Sequence, residues 1–237
     1  MKKITSILAF AFLTNVTSAQ KSLIPMKYGI KVGANISNII STSNEGVKNI
    51  ESSALIGISG GFYMEIALND KWYINPELMY TQKGASFDYD FTHDYEVNQG
   101  ERDEHYVTNE LKLAYIVLSP TISYKASNKI SLNFGPSVSF LIQSDYIFTE
   151  INTSEIVGHE VLDDGVYVEE SLDVGLNIGA SYYLTENFLI DGKVNTGFMS
   201  IGEIIKETNT GNSGNNSQKN IFNLKNNGIV FSVAYLF

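Results

Sequence analysis

Residues 228–237 have the sequence GIVFSVAYLF and end the chain on an aromatic side chain. Successive side chains of a β-strand point to opposite faces. One face of this strand carries only large apolar residues, and the other face carries smaller, mixed ones. The large face is formed by Ile229, Phe231, Val233, Tyr235 and Phe237. A soluble sheet would bury that face in a core, whereas a membrane barrel would turn it towards lipid. The rest of the chain decides between the two.

The same two-residue alternation recurs along the chain. It appears in residues 28–36, 54–68, 72–82, 111–125, 130–142, 172–184 and 188–198. One face of each segment is large and apolar, without a charge in its central part. The other face is rich in Gly, Ser and Asn. A soluble β-sandwich has the opposite arrangement, with polar residues outside and dense aliphatic residues inside. Because a tilted strand crosses a bilayer in about 9–11 residues, the pattern predicts eight membrane-spanning strands.

The connections between these segments alternate between short and long. Residues 69–70, 126–128 and 185–187 are polar and typical of hairpin turns. Long loops are predicted over residues 37–53, 83–110, 143–171 and 199–227. Outer-membrane barrels combine short periplasmic turns with long extracellular loops. We therefore predict an all-β, eight-stranded antiparallel up-and-down transmembrane β-barrel, with both chain ends on the periplasmic side. Pairing of the last strand with the first would remove the free sheet edge, which hydrocarbon does not tolerate.

The N-terminal residues have the three parts of a secretory signal peptide. Lys2 and Lys3 precede an apolar stretch, and Thr17 and Ala19 occupy the −3 and −1 positions of a cleavage site. The apolar stretch is too short for a spanning helix, which needs about 20 residues. The chain has no Cys and hence no disulfide. The predicted organisation is a signal peptide at 1–19, a short periplasmic segment at 20–27 and a barrel domain at 28–237, exported to the outer membrane of a Gram-negative cell.

Six charged residues lie on the face predicted to point into the lumen. They are Lys31, Glu65, Glu77, Asp173, Asp191 and Lys193. The interior of an eight-stranded barrel is just wide enough for side chains to fill, and an unpaired buried charge costs several kcal/mol. We therefore expect Lys31 and Lys193 to pair with some of the four carboxylates and to form a polar plug. A narrow ion path is the alternative interpretation of the same residues.

Several short motifs resemble, in their order and spacing, the PorT-like outer-membrane β-barrel family of Bacteroidetes-type bacteria. They are YGIKVGANISNI at 28–39, LNDKWYINPELMYTQKGA at 68–85, LAYIVLSPTISYK at 113–125, LNFGPSVSFLI at 132–142, LDVGLNIGASYYL at 172–184 and DGKVNTGF at 191–198. The resemblance covers nearly all of the chain after the signal peptide and implies an eight-stranded barrel. One namesake of the family takes part in protein secretion and gliding, a role that we do not carry over. The chain end also resembles the C-terminal signal that the barrel-assembly machinery recognises, which implicates Tyr235 and Phe237 in assembly.

Most of the acidity lies in two predicted loops. Residues 84–109 hold seven acidic residues and one basic residue, and residues 143–170 hold eight acidic residues and no basic one, so that together they carry −14 against −10 for the whole chain. Loops carry much of the function of proteins with a rigid scaffold. A patch for Ca²⁺ or for a basic envelope protein partner is one interpretation of these loops, and solvated loops on an already anionic cell surface are the other. The acidity argues against nucleic acid as a partner. The 12-residue spacing of a calcium loop is missing from the sequence, so a metal is not predicted, and a cofactor is not predicted either.

Three histidines, His93, His105 and His159, fall in the predicted loops. Some eight-stranded barrels cleave or transfer acyl chains with a His, a Ser and an acid at the outer rim. Such chemistry requires a nucleophile beside a base, and the sequence does not place these groups together. We therefore predict a non-enzymatic structural or surface-interaction barrel, embedded in outer-membrane lipid. A subunit of a secretion or adhesion assembly is the first alternative, and an ion pore or a lipid-modifying enzyme is the second.

Overall fold

The computed structural model describes residues 25–43, 52–91, 105–151, 165–168, 170–209 and 217–237. The predicted signal peptide lies outside these residues, as does most of the predicted periplasmic segment at 20–27. Within the described ranges, no helix is long and apolar enough to cross a membrane.

The described residues form a single antiparallel sheet of ten strands. The strands are β1 Met26–Ser43, β2 Ser52–Ala67, β3 Trp72–Phe91, β4 His105–Lys125, β5 Ile130–Ile151, β6 Gly165–Tyr167, β7 Leu172–Tyr183, β8 Phe188–Gly197, β9 Gly202–Asn209 and β10 Ser217–Leu236. Eight of them, β1 to β5 with β7, β8 and β10, pair in chain order, and β10 pairs back onto β1. The predicted eight-stranded up-and-down barrel is confirmed.

Closure of the barrel depends on the C-terminal strand. β10 pairs with β1 over fifteen residue pairs, from Gly29 opposite Leu236 to Ser43 opposite Phe222. The N–H of Phe237 donates to the carbonyl of Tyr28 at 2.8 Å. The aromatic chain end is therefore hydrogen-bonded into the seam that closes the barrel, which explains why a strong strand pattern continues to the last residue.

The large apolar faces point outward along the barrel, as the alternation predicts. Ile58 is 62% exposed, Phe134 54%, Ile178 56% and Phe231 55%. The residues between them point into the lumen, where Lys31, Asn177 and Ser232 are buried. Soluble monomers rarely expose contiguous apolar surface larger than a few hundred Å². A belt of large apolar side chains around the whole barrel is the surface expected of a protein embedded in hydrocarbon.

The strands extend well beyond the predicted segments, so the predicted loop boundaries are wrong. β3 and β4 stay paired as far as Phe91 opposite His105, within the loop predicted at 83–110. The loops predicted at 37–53, 143–171 and 199–227 likewise contain parts of β1, β2, β5 and β10, as well as β6 and β9. The physical reason is an inversion of the pattern. In this region the inward residues Phe87 and Leu111 are buried and apolar, while Lys112 is exposed on the outer face. A search for large outward residues misses such strands.

Two short strands, β6 and β9, continue the barrel wall at the end opposite the short turns. β9 pairs with β10 from Gly202 opposite Leu224, just past the point where β8 ends its pairing at Thr196 opposite Asn227. β6 pairs with β9. β8 and β9 thus behave as one interrupted strand of the barrel wall, and β6 and β7 behave as another. We call the barrel end that carries these extensions the loop end and the opposite end, with the short turns, the turn end.

Close strand packing requires glycine at inward positions such as Gly61. A Cβ atom added there would lie 2.1 Å from the carbonyl oxygen of Leu78 on the neighbouring strand. At Gly84 the backbone has a φ of +158° and a Cβ atom would lie 2.1 Å from the carbonyl oxygen of Leu111. Because only glycine lacks Cβ, these glycines allow neighbouring strands to approach each other closely in the narrow barrel.

Candidate functional site

Four of the six predicted lumen charges meet in one buried cluster. Lys31 Nζ lies 3.0 Å from Glu77 Oε1 and 2.9 Å from Asp191 Oδ1. Lys193 Nζ lies 2.5 Å from Glu77 Oε2 and 3.8 Å from Asp191 Oδ1. We call these four residues the central ion cluster. Two lysines and two carboxylates alternate in it, so that it is electrically neutral.

The central ion cluster joins strands that are not neighbours in the sheet. Lys31 comes from β1, Glu77 from β3, and Asp191 and Lys193 from β8. Asp191 Oδ2 also accepts hydrogen bonds from Ser181 Oγ at 2.9 Å and Asn133 Nδ2 at 3.1 Å. Buried ion pairs require such additional hydrogen bonds to offset their desolvation. The cluster therefore ties opposite walls together and fills the middle of the lumen.

Glu65 lies apart from this cluster, at the turn end. It accepts a short hydrogen bond from the Tyr183 hydroxyl, and Lys125 Nζ lies 3.8 Å from its Oε1 atom. Lys125 also donates to the Tyr73 hydroxyl at 3.0 Å and lies 4.2 Å from the centre of the Tyr73 ring. Lys125 is not among the predicted lumen charges, although its position two residues after the inward Ser123 was the available signal.

Asp173 lies towards the loop end, and its partners there were not predicted from the sequence. Its Oδ2 atom accepts from Asn226 Nδ2 at 2.9 Å and lies 3.9 Å from Lys83 Nζ. Lys83 donates to Asn195 Oδ1 at 3.0 Å. Lys83 and Asn226 fall in stretches predicted as loops, so they were not considered as lumen residues. Among the described residues, Asp173 Oδ1 and Asn226 Oδ1 have no hydrogen-bond partner.

A cavity of about 40 Å³ lies between the central ion cluster and Lys83. Its lining includes Lys31, Glu77, Lys193 and Asn195. Such a volume admits a few water molecules at most. The charged and amide groups around it are the polar partners that buried water requires.

The loop end of the lumen is filled by an apolar cluster, which we call the apolar cap. It consists of Ile39, Met79, Ala85, Phe87, Leu111, Leu113, Tyr115, Val117, Ile201 and Leu224. Phe87, Tyr115, Ile39 and Leu224 have no exposed surface. On the outer wall at this level, Lys112 Nζ lies 2.7 Å from Glu110 Oε2. Here the barrel has the polar-outside, apolar-inside arrangement of a soluble sheet.

The predicted assembly residues lie at the turn end. The rings of Tyr235 and Phe237 are 5.3 Å apart and those of Tyr28 and Phe237 are 5.9 Å apart, measured between centroids. All three side chains are exposed on the outside of the barrel. Aromatic side chains form girdles at both interfaces of membrane barrels, which is the position that these residues occupy.

Part of the acidic sequence and one histidine lie in strands, contrary to the prediction. Asp88 and Asp90 belong to β3 and Asp145 and Glu150 to β5. His105 begins β4, opposite Phe91. His93 and His159 lie outside the described residues, as does most of the remaining acidic sequence of 84–109 and 143–170. Within the described part of the chain, no group of three or more His, Cys, Asp or Glu residues could hold a metal ion.

A closed β-barrel with a lipid-facing apolar belt and a filled polar lumen defines an integral membrane protein of the outer-membrane barrel class. Short turns at one end and long strand extensions at the other agree with this class. The chain belongs to the family of the outer membrane protein beta-barrel domain, whose sequence profile matches residues 18–203. It is an outer-membrane protein, as the sequence analysis predicts, and the loop end of the barrel is therefore its extracellular end.

Solved structures of several small barrels are similar in fold. Ail, the attachment invasion locus protein of Yersinia pestis, is 10% identical, with 89% of this chain and 98% of that chain covered and a TM-score of 0.39. The outer membrane protein OprG from Pseudomonas aeruginosa is 10% identical, with 90% and 95% covered and a TM-score of 0.37. Neisserial surface protein A is 14% identical, with 88% and 97% covered and a TM-score of 0.37. A sequence comparison with curated proteins gave no match.

Proposed function

We propose that this small outer-membrane barrel is a closed, non-enzymatic scaffold that presents its extracellular sheet to a basic partner in the cell envelope. The observation that carries the proposal is the filling of the lumen at successive levels. The pair Glu65 and Tyr183 lies at the turn end, the central ion cluster lies in the middle, and the apolar cap lies at the extracellular end.

This filling argues against the ion-path interpretation of the lumen charges. In the central ion cluster each lysine already lies within 3.0 Å of a carboxylate, so a passing ion would have to displace a buried, compensated pair. Above it, the apolar cap offers no polar ligand at Phe87 or Leu111, both of which are buried. Hydrophobic constrictions exclude water and ions. The lumen charges then serve to hold the barrel walls together.

The extracellular extension supplies the surface that the proposal requires. β3 and β4 remain paired over twenty residue pairs, from Trp72 opposite Tyr124 to Phe91 opposite His105, so part of the acidic sequence stands on regular sheet. Residues 84–109 and 143–170 together have a formal charge of −14. A patch of one sign accelerates the encounter with partners of the opposite sign. A basic segment of another envelope protein fits this surface, and a secretion or adhesion assembly containing such a protein is the second candidate.

The remaining parts of the proposal come from the sequence. The motifs between residues 28 and 198 support placing the chain in the PorT-like group of the family. We propose that Tyr235 and Phe237 are recognised by the barrel-assembly machinery and that residues 1–19 are removed on export. We also propose that the protein has neither catalytic activity nor a cofactor, since the sequence does not bring a nucleophile and a base together in one motif.

Cross-linking in intact cells tests the proposed function. We expect the wild-type barrel to give a discrete cross-linked adduct that is lost when Asp88, Asp90 and Asp145 are replaced by Asn. The matched control replaces the turn residues Asp70 and Glu186, which are exposed, by Asn and Gln and should leave the adduct unchanged. An adduct that is insensitive to the extracellular acids, or steady ion conductance of the purified barrel in planar bilayers, would contradict the proposal.

A further inference from the structure

The cavity beside the central ion cluster, which we call the lumen cavity, has more cations than carboxylates at its wall. Lys31, Lys83 and Lys193 line it, and among the described residues Glu77 is the one acid that does. The other carboxylates of the lumen, such as Asp173, lie outside its lining. The electrostatic potential inside the lumen cavity is therefore positive.

Lys83 is the lysine of this wall that lacks a close carboxylate. In the central ion cluster each lysine lies within 3.0 Å of a carboxylate oxygen. Lys83 Nζ instead donates to the neutral amide oxygen of Asn195 at 3.0 Å, and Asp173 Oδ2 lies 3.9 Å away, too far for a hydrogen bond. The Tyr115 ring, with its centre 5.2 Å from Nζ, stabilises the charge from one side. An ammonium group has three N–H donors, and Lys83 is only 8% exposed, so its remaining donors need an acceptor within the lumen.

Hydroxyl groups of the same wall add further donors. Ser119 Oγ accepts from Asn177 Nδ2 at 3.0 Å, so its own hydrogen is available. Ser59 Oγ and Thr81 Oγ1 lie 3.0 Å apart and share one hydrogen, which leaves the hydrogen of the other hydroxyl available. Both oxygens of Glu77 already accept from lysines. A water molecule would bring two more donors to a wall with few free acceptors, whereas an anion accepts from all of these groups.

We propose that the lumen cavity binds one small monovalent anion of the halide class, such as chloride, through Lys83, Ser119 and a hydroxyl of the Ser59 and Thr81 pair. A buried charge requires a partner of opposite sign and hydrogen bonds. Lys83 provides the opposite charge, and the hydroxyl groups provide the additional hydrogen bonds. A halide ion is only slightly larger than a water molecule, so a volume of about 40 Å³ accommodates one and excludes an organic anion such as gluconate.

The anion is enclosed in the closed barrel. The central ion cluster lies on one side of the lumen cavity, and Met79 and Val117 of the apolar cap line its other side. The ion therefore enters as the barrel folds or opens transiently, and it stabilises the folded state without crossing the membrane. This site is independent of the proposed extracellular function, which the cross-linking experiment decides separately.

Urea unfolding of the full barrel in detergent micelles tests the inference. Sodium chloride, bromide and gluconate are compared at constant ionic strength. Because a ligand of the folded state raises the free energy of unfolding with the logarithm of its concentration, the wild-type midpoint should be higher in either halide than in gluconate. Lys83→Met should have the same midpoint in all three salts, whereas Lys112→Met, on the outer wall where Lys112 is exposed, should respond as the wild type does. Equal wild-type midpoints in the three salts, or a halide response that survives Lys83→Met, would overturn the inference.

Anomalous diffraction provides a measurement that needs no variant. Crystals of the wild-type barrel grown in sodium bromide should show a bromine peak in the lumen cavity, in contact with Lys83 Nζ. A lumen cavity without a bromine peak, or bromine peaks confined to the outer surface, would overturn the inference.

Asp173 competes with the anion for the charge of Lys83, so neutralising this carboxylate should strengthen halide binding. Asp173→Asn should lower the chloride concentration needed for half of the midpoint shift by at least about tenfold, because a nearby negative charge is removed. Asp70→Asn makes the same change at an exposed turn and should leave that concentration unchanged. An unchanged or weaker chloride response in Asp173→Asn would show that Lys83 is not the ligand.

Discussion

Lys31 on β1 and Glu77 on β3 form an ion pair, with Nζ and Oε1 3.0 Å apart and both side chains almost fully buried. The pair bypasses β2, which lies between the two strands in the sheet. On its other side Lys31 contacts Asp191 of β8. One ammonium group therefore links three strands through the lumen, and its two carboxylates are shared with Lys193.

Reversing the charge at Glu77 should prevent the barrel from folding stably. Glu77→Lys would place three ammonium groups around the single carboxylate of Asp191, and loss of one partner of a buried pair costs about 3–5 kcal/mol. We expect the heat-dependent shift in gel mobility of the folded barrel to disappear. Glu186→Lys makes the same charge change at an exposed turn and should retain the shift. An unchanged shift for Glu77→Lys would show that the central ion cluster is not needed.

The apolar cap should contribute to stability as a soluble core does. Leu111→Ala removes a buried side chain and should lower the free energy of unfolding by about 2–5 kcal/mol because the surrounding strands cannot close the cavity. Leu132→Ala makes the same change on the lipid-facing surface, where Leu132 is 53% exposed and fluid acyl chains can fill the space. Urea unfolding in detergent micelles measures both. Equal losses in the two variants would argue that the cap is not a packed core.

Gly197 allows the carboxylate of Asp173 to reach its position. A Cβ atom at Gly197 would lie 2.7 Å from Asp173 Oδ1 and 3.0 Å from Oδ2, so Gly197→Ala should displace the carboxylate from Asn226 and destabilise the barrel by about 1–3 kcal/mol. Gly192 lies on the same strand, and there a Cβ atom would be 3.5 Å from the Phe231 ring, an ordinary contact. Gly192→Ala should leave the urea midpoint unchanged or raise it. The reverse order of the two variants would contradict the described geometry.

Opening the cap should be required before the barrel conducts ions. The wild-type protein should give no steady conductance in planar bilayers, since Phe87 and Leu111 fill the extracellular lumen. Replacing both by Ser should admit water only as far as the central ion cluster, and brief openings should require Glu77→Gln in addition, because that cluster blocks the middle of the lumen. Phe134→Ser and Leu132→Ser, on the lipid-facing side, combined with Glu77→Gln, provide the matched control and should give none. Conductance of the wild-type protein would favour the ion-path interpretation instead.

The sequence predicts the barrel and the direction of its side chains because both depend on a local, two-residue period. Ile58 and Phe231 follow this rule. The partner of each lumen charge was not predictable, because it depends on the stagger of strands that are distant in sequence. Lys31 meets Glu77 at a separation of 46 residues, while Glu65, equally plausible by alternation, pairs at the turn end with Lys125.

The extracellular extension was missed for a different reason. Above the membrane the outer face becomes polar and the inner face apolar, so Phe87 and Leu111 lie inside and Lys112 outside. The two-residue period continues through 85–87 and 110–113, but here the apolar residues point inward and the polar residues outward. A pattern search that allows this inversion would have found the strands and, with them, Lys83 as a lumen residue. The extracellular ends of β1 and β6 depend on their pairing with β10 and β9, which no local pattern encodes.

The direction of the large apolar faces is the claim on which the lumen, the cap and the extracellular surface all depend, and fluorescence quenching measures it most directly. The chain has no Cys, so single Cys variants at Ile58, Phe134, Ile178 and Phe231 can each carry one environment-sensitive label, with Ser144 as the exposed extracellular control. We predict that quenchers attached to lipid acyl chains quench the first four labels and that aqueous iodide quenches only the label at Ser144. Quenching of the first four labels by iodide, or protection from both quenchers as in the core of a soluble sandwich, would contradict the membrane barrel.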